Sequence, residues 1–186
     1  MATPPQSKFP QEVYAIFCAP INQDTVQKIF AAVATASQNN VKHVHLLFQS
    51  TGGMVPDGVA LYNFLKTAPI DITLYNVGSV QSVAAIAYLG AKKRKASARA
   101  TFVFHRVTGT AQAAKAGALE TITQGVAIDD ARTESIMREH INIPDEKWAI
   151  LDRGDLGFTA EDAITAKITD EIADFSPPIG IPIYSL

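Results

Sequence analysis

A serine, a pair of glycines and a histidine stand where three predicted strands end, and together these residue types can support acyl transfer. They are Ser82, Gly52-Gly53 and His105. A serine hydroxyl attacks a carbonyl when a histidine removes its proton, and backbone N–H groups in a glycine turn or at a helix start stabilise the oxyanion that forms. Because open parallel sheets bind ligands where strands end and helices begin, the three positions are candidate site residues.

Each of these residues also has a simpler structural interpretation. Gly52-Gly53 is typical of a tight turn, and the loop matches neither the dinucleotide-binding nor the phosphate-loop pattern. Ser79 and Ser82 precede an alanine-rich helix, where serine commonly caps free N–H groups. A histidine that closes an apolar strand, as His105 does, is more often structural than catalytic. Taken one at a time, the residues favour the structural interpretation.

His43 and His45 form a second candidate group. They alternate along a predicted strand, so both side chains can share one face of the sheet, which is the geometry of a metal-binding pair. We expect nothing nearby to supply a clear third ligand. We therefore favour a role on the sheet surface for both histidines and predict neither a metal site nor a cofactor.

The elements that must position these residues alternate between strands and helices in the first half of the chain. Strands are predicted at 13–18, 41–50, 70–77 and 101–105. The helices between them are predicted to begin at Asn22, Pro56 and Gln81. This β-α-β-α-β-α-β order predicts an α/β fold with a parallel sheet and right-handed crossovers.

The second half of the chain has a different pattern. Residues 119–141 have the apolar spacing of a long helix, and shorter helices are predicted after Pro144 and Thr159. A short strand and a proline-rich tail at 176–186 follow, and we expect the tail to be extended and able to lie on a neighbouring subunit. No linker or repeat divides the sequence, so a single domain over residues 1–186 is predicted.

Composition narrows the class of protein. The chain has 186 residues, of which 47% are hydrophobic and 18% charged, enough for a folded core. The net charge of −2 gives no reason to expect nucleic acid or a membrane surface as a partner. No signal peptide or membrane-spanning run is evident, so a cytoplasmic protein is the simplest expectation. The single cysteine, Cys18, excludes an internal disulfide and is expected to be buried.

The order of these junctions resembles the Clp protease proteolytic subunit family, over roughly residues 12–175. The family's glycine motif is similar to "QSTGG" at 49–53, and its G-x-x-x-S motif is similar to "GSVQS" at 78–82, followed by "GAK" at 90–92. Its strand that ends in a catalytic histidine is similar to "FVFH" at 102–105. Its C-terminal motifs are similar to "GDLGFTAEDA" and "ITDEI". Any one of these motifs is weak, whereas their order is fairly specific.

The resemblance implies a ClpP/crotonase-like fold, in which repeated β-α-β units surround a mostly parallel sheet. It assigns about residues 106–141 to a protruding strand-helix handle. Family members are serine endopeptidases that form heptameric rings, stacked into a closed chamber. The resemblance therefore implies a homo-oligomer whose substrates are peptides or unfolded polypeptides.

Roles for individual residues follow from the same resemblance. It implies that Ser82 is the nucleophile, that His105 is the general base and that Asp155 orients the imidazole and stabilises its protonated form. If the register slips by three residues, Asp152 takes the place of Asp155.

The oxyanion hole implied by the resemblance consists of the backbone N–H groups of Gly53 and Val83. Ser79 is then a turn or capping residue.

Some positions depart from the family pattern. Gln81 and Val83 flank the serine, where family members usually have a small residue and a methionine, and Arg106 follows the histidine in place of glutamine. We expect Gln81 to narrow or reorganise the site, and Arg106 to change the charge near the base or to bind an acidic group. The chain also begins close to its first strand, without the segment that helps to dock an ATPase unfoldase in the family, so an ATPase partner is not assumed.

Two other functions compete with the peptidase. One is a ring or scaffold subunit that keeps the fold after its site has lost activity, an interpretation prompted by the altered residues around Ser82. The other is an acyl-CoA enzyme of the related crotonase type, which uses carboxylates and backbone oxyanion holes. Asp57 is the only acidic residue beside either hole-forming loop, so this last function is the least favoured.

Overall fold

The computed structural model describes residues 10–109 and 116–186 of the chain. Residues 110–115, on which part of the predicted handle falls, lie outside the described residues. The strands and helices, in chain order, are β1 (Glu12–Cys18), α1 (Gln23–Gln38), β2 (His43–Gln49), α2 (Val55–Thr67), β3 (Asp71–Asn76), β4 (Ser79–Gln81), α3 (Val83–Leu89), β5 (Lys93–Ala96), β6 (Thr101–Phe104), α4 (Ala116–His140), α5 (Asp145–Trp148), β7 (Leu156–Thr159), α6 (Ala160–Thr165), β8 (Glu171–Ile172) and β9 (Ile183–Ser185).

The main sheet has six strands in the order β8-β5-β3-β2-β1-β9, and every neighbouring pair is parallel. This confirms the predicted α/β fold with a mostly parallel sheet. Helix α1 begins where the sequence indicates, because Asn22 and Thr25 form a reciprocal capping box. Its buried residues recur every three or four positions, as a helix that packs on one face requires.

A second, smaller sheet has the order β4-β6-β7, in which β4 pairs with β6 in parallel and β6 pairs with β7 antiparallel. The β-α-β order implied that the strand predicted at 101–105 joins the main sheet. In the structure it belongs to the smaller sheet instead. Strand β5 takes that place in the main sheet. Its sequence, "KRKA", lacks the apolar run from which the other strands were predicted. Its charges are tolerated because Arg94 pairs with Asp170 at 3.2 Å and Lys95 pairs with Glu171 at 2.8 Å.

Helix α4 is the long helix that the pattern at 119–141 predicts, but only its second half packs against the core. Thr133, Ile136 and Met137 are buried. Leu119 and Ile122 are exposed, although they continue the same apolar spacing toward the start of the helix. The apolar face of α4 therefore extends beyond the part of the helix that packs against the described core.

Two expectations about the strand β1 differ from the structure. Cys18 is the last residue of β1 and is exposed rather than buried. The extended tail does not project away from the chain, because Ile183–Ser185 pairs with β1 and the Leu186 N–H donates to the Ile16 carbonyl at 3.0 Å. Backbone hydrogen bonding to an otherwise open sheet edge accounts for this position. No helix within the described residues is both long and apolar enough to cross a membrane.

Candidate functional site

Ser82 lies at the sharp junction between β4 and α3. Its φ of +56° and ψ of −136° place a non-glycine residue in a strained backbone region. Two hydrogen bonds hold this junction: the Ser82 N–H donates to the Val103 carbonyl at 2.8 Å, and the Gln81 N–H donates to the Ser50 carbonyl at 2.9 Å. The serine is therefore fixed between the end of β2 and strand β6.

The two serines before α3 differ in their hydrogen bonds. Ser79 is a residue of β4, and its Oγ accepts hydrogen bonds from Gln81 Nε2 at 2.9 Å and Thr101 Oγ1 at 3.2 Å. The expectation that Ser79 is a turn or capping residue is therefore wrong. Ser82 is the N-cap residue of α3 by position, but its side chain makes no capping bond. Among the described residues, Ser82 Oγ has no hydrogen-bond partner.

The glycine pair packs directly against this serine. Gly52 has a φ of +100°, and a Cβ atom there would lie 2.6 Å from Ser82 Cβ. Gly53 has a φ of +153°, and a Cβ atom there would lie 2.1 Å from the Ile21 carbonyl oxygen. The loop is held by the Gly52 N–H, which donates to Ser50 Oγ at 3.2 Å. Only glycine allows the backbone to approach Ser82 this closely.

A small cavity of about 70 Å³ brings four of the five predicted site residues together. Ser82, His105, Gly53 and Val83 all line it. Val83 is the first residue of α3, so its N–H has no acceptor within the helix. The other residues that line the cavity are Val55, Ile86, Val107, Thr108 and Thr133. Gln81 does not line it, so its expected narrowing of the site is not seen.

His105 follows the last residue of β6 and is half-buried. Its Nδ1 lies 2.7 Å from the carbonyl oxygen of Arg106. A carbonyl only accepts, so Nδ1 carries the proton and the neutral ring keeps its lone pair on Nε2. Nε2 is then the nitrogen able to act as a base. No hydrogen bond joins His105 to Ser82 in the parts of the chain that the structure describes.

Asp155 lies beside the same end of the small sheet. Phe104 pairs with Leu156 in the antiparallel ladder of β6 and β7, so the residues next to them, His105 and Asp155, leave the ladder together. The Asp155 side chain is exposed, and within residues 10–109 and 116–186 it has neither a hydrogen bond nor an ion pair. The structure thus places Asp155 near the histidine without joining the two side chains.

Arg106 is surrounded by three carboxylates. Its guanidinium contacts Glu134, Asp130 at 3.2 Å and Asp152 at 3.0 Å. These partners, Glu134 above all, raise the pKa of Arg106, and Arg106 in turn lowers the pKa of the Glu134 carboxyl group. Asp152, the alternative to Asp155, is thereby paired with Arg106. The expectation that Arg106 binds an acidic group is correct for this structure.

The sequence motifs did not indicate the acidic partners of Arg106 on α4. Asp130 and Glu134 are four residues apart on one helix face, a spacing that is visible in the sequence. Asp130 also accepts a hydrogen bond from the Val107 N–H at 2.9 Å. The segment that follows His105 is therefore anchored to α4 by both side-chain and backbone bonds.

His43 and His45 do share one face of the sheet, and a third potential ligand lies beside them. Strand β1 brings Glu12 opposite His43, and potential ligand atoms of Glu12, His43 and His45 all lie within 4.8 Å of one another. The expectation that no third ligand is near is wrong, because Glu12 is distant in the sequence and adjacent only through the parallel register.

Comparison with known proteins agrees with the fold and with the family resemblance. The model of the Clp protease family matches residues 4–175. The ATP-dependent Clp protease proteolytic subunit 3 of Rhizobium etli is 25% identical, with 83% of this chain and 82% of that protein covered. The solved structure of a ClpP1 mutant from Listeria monocytogenes superposes with a TM-score of 0.73 at 18% identity, over 89% of this chain and 92% of that one. At this identity the superposition supports the fold alone.

Proposed function

This chain belongs to the Clp protease family, and from that premise we propose that it is a serine endopeptidase that cleaves peptides or unfolded polypeptides through an acyl-enzyme. One observation carries the proposal. Ser82 sits in a strained backbone conformation at the start of α3, its hydroxyl is not used as a cap, and it shares a cavity with His105. A serine that served only to begin the helix would direct its Oγ at the free N–H groups.

In the proposed first step, His105 Nε2 removes the proton of Ser82 as Oγ attacks the peptide carbonyl. The carbonyl oxygen becomes an oxyanion, which the N–H groups of Gly53 and Val83 stabilise. His105 then donates the proton to the leaving amine, and the C–N bond breaks to leave an ester on Ser82. Water, deprotonated by the same nitrogen, hydrolyses that ester and restores the serine.

Asp155 is the proposed third member of the catalytic set. During the reaction the imidazole becomes a cation, which a carboxylate stabilises more strongly than the neutral Arg106 carbonyl does. The unpaired state of the Asp155 carboxylate and its position beside the end of β6 support this role. Reaching it requires the His105 ring to exchange the Arg106 carbonyl for Asp155 when substrate binds, since apo sites often tighten only with substrate present.

The cavity wall combines aliphatic side chains with Thr108 and Thr133, which suits an uncharged substrate side chain next to the cleaved bond. Val55, Ile86 and Val107 present aliphatic groups there. The charge of Arg106 does not contradict this preference, because that side chain is paired with carboxylates of α4 and with Asp152.

An oligomeric chamber is the proposed setting of the reaction. Leu119, Ile122 and Ile128 on the first half of α4 are 36–66% exposed, and such apolar groups on a protruding helix are suited to contacts between copies of the chain. The Rhizobium etli relative is a proteolytic subunit by name, which supports the same assembly.

A fluorophosphonate probe tests the nucleophile directly. We expect it to label the wild type and not Ser82→Ala, while the matched variant Ser79→Ala is labelled like the wild type. The samples need a measured oligomer size, because assembly can affect the labelling rate. Equal labelling of the wild type and Ser82→Ala would exclude Ser82 as the nucleophile.

A catalytically impaired ring subunit is the second candidate, and one observation favours it. In the described residues, no hydrogen bond joins Ser82, His105 and Asp155 into a connected set, and His105 is engaged with a backbone carbonyl. This candidate predicts a stable oligomer that the probe does not label. Probe labelling together with peptide turnover that depends on Ser82 would eliminate it.

A further inference from the structure

A group of three potential metal ligands lies at the opposite end of the main sheet from Ser82. It consists of Glu12 on β1 and of His43 and His45 on β2, and we refer to it as the His-Glu cluster. We propose that the His-Glu cluster binds a divalent transition metal ion of the Zn²⁺ class. The proposal is independent of the peptidase function.

Parallel pairing brings the three residues together. The register places Glu12 opposite His43, and the two-residue period of β2 puts His45 on the same face as His43. The two imidazole rings are stacked, with centroids 4.1 Å apart. Glu12 Oε2 lies 3.6 Å from His45 Nε2. The cluster therefore consists of side chains on regular strands, whose backbone positions are fixed by the sheet.

Hydroxyl groups on β3 orient both imidazole rings. His43 Nε2 lies 2.7 Å from Thr73 Oγ1, and His45 Nδ1 lies 2.9 Å from Tyr75 Oη. The two nitrogens of an imidazole are separated by one carbon atom and point in different directions from the ring. With Nδ1 of His45 turned toward β3, its Nε2 faces Glu12 on β1. Second-sphere hydrogen bonds of this kind fix the tautomer of metal-binding histidines.

The nitrogen of His45 that faces Glu12 is an unsatisfied buried atom. Among the described residues, His45 Nε2 has no hydrogen-bond partner although it is buried. Buried polar atoms almost always make hydrogen bonds, so one whose nearest partner is a carboxylate oxygen at 3.6 Å calls for an explanation. A metal ion shared with Glu12 and His43 provides one.

The donor set selects the class of ion. Two imidazole nitrogens and one carboxylate suit Zn²⁺ and related transition ions, whereas Mg²⁺ and Ca²⁺ prefer all-oxygen sites. Bonds of about 2.0–2.2 Å to each donor require the three ligand atoms to move closer together than the observed limit of 4.8 Å. Glu12 is the residue that can make this adjustment, because its side chain is 59% exposed.

The charges around the cluster include both signs. Glu12 and Asp71, which flank His43 on the two neighbouring strands, favour a cation there, while Lys93 and Lys95 oppose one. Lys95 is paired with Glu171 at 2.8 Å, so Lys93 is the main unfavourable neighbour. Burial is the largest effect that lowers the pKa of both histidines.

The test is titration of the full-length, tag-free protein with Zn²⁺, followed by calorimetry, and with Co²⁺, followed by visible absorption of the bound ion. We expect one ion per chain. Glu12→Gln should weaken binding about tenfold, and His43→Gln or His45→Gln should weaken it about 100-fold. Lys93→Gln should strengthen binding, since it removes a nearby positive charge.

Matched controls locate the bound ion. The remaining histidines of the chain are His105 and His140, so His140→Gln and Ser82→Ala should both bind Zn²⁺ like the wild type. Glu12→Gln changes an exposed side chain and should not affect folding, which keeps the test decisive if the histidine variants are unstable. Absence of binding to the wild type, or equal binding by the wild type, Glu12→Gln and His45→Gln, would overturn the proposal.

Discussion

Two groups of candidate functional residues lie near opposite ends of the main sheet. They differ in the backbone structure that positions them. At the carboxyl ends of the strands, Ser82 and Gly52-Gly53 adopt positive φ values in short connections. At the amino ends, His43 and His45 occupy regular positions on β2. Strand β2 is seven residues long, so the two groups are separated by roughly 20 Å.

The difference lies in what each group depends on. The Ser82 site relies on backbone geometry, and its hydroxyl and the Asp155 carboxylate have no partner within the described chain. In the His-Glu cluster, hydroxyl groups of the neighbouring strand already orient both histidines. We therefore expect the first group to be sensitive to backbone changes and to be completed by substrate, and the second to be preformed and sensitive to its hydroxyl neighbours.

The largest expected effect separates Asp155 from Asp152. If Asp155 stabilises the imidazolium, Asp155→Asn should lower kcat about 10³-fold or more while the fold is retained. Asp152→Asn should have a much smaller effect, because that carboxylate is bound to Arg106. Peptide hydrolysis by oligomers of equal size is the measurement. A larger loss in Asp152→Asn would transfer the role to that residue.

A smaller effect is expected from the glycine loop. Gly52→Ala places a Cβ atom 2.6 Å from Ser82 Cβ and strains a residue at φ +100°, so it should displace the serine and lower kcat about 100-fold. Gly125→Ala on α4 is the control, because a Cβ atom there meets nothing within 4 Å. Should Gly52→Ala retain full activity, the site would not depend on this close backbone contact.

The contrasting dependence of the His-Glu cluster is tested by Tyr75→Phe. The change removes the hydroxyl that orients His45 and keeps the ring that packs against Phe175, so Zn²⁺ binding should weaken about tenfold. Tyr14→Phe is the matched control, since Tyr14 contacts His45 by ring stacking. Calorimetric titration compares the two variants, and equal affinities would show that the hydroxyl does not orient the ligand.

The smallest effect concerns the ion cluster that anchors the segment after His105. Glu134→Gln removes a carboxylate bound to Arg106, and we expect a loss of about 1 kcal/mol in the free energy of unfolding at pH 7. Arg106, followed by Arg138, lowers the pKa of Glu134 in the folded state, so this stabilisation is present above the ordinary pKa of 4.5.

The difference between wild type and Glu134→Gln should therefore shrink as the pH falls below 4.5 and through the lower pKa of the folded state. Urea unfolding at several pH values measures it. A difference that does not change with pH would mean that the Glu134 charge does not stabilise the fold.

Local patterns in the sequence account for the elements whose causes are local. From the capping residues Asn22 and Thr159, the starts of α1 and α6 could be predicted. Alternation of apolar runs predicted a parallel sheet, and the ordered motifs around Ser82 indicated the family. Strand β5 was not predicted, because Arg94 and Lys95 are stabilised by acidic residues that lie much later in the chain.

The sequence by itself predicted which residues are candidates for chemistry at the carboxyl ends of the strands, because glycine, serine and histidine there follow directly from each strand's local boundary. Only the tertiary structure decided that Ser79 belongs to a strand, that Asp152 pairs with Arg106 and that Glu12 joins His43 and His45. Each of these outcomes depends on strand register or on a contact between distant segments. Such contacts are set by the packing of the whole chain and leave no periodic or local signal in the sequence.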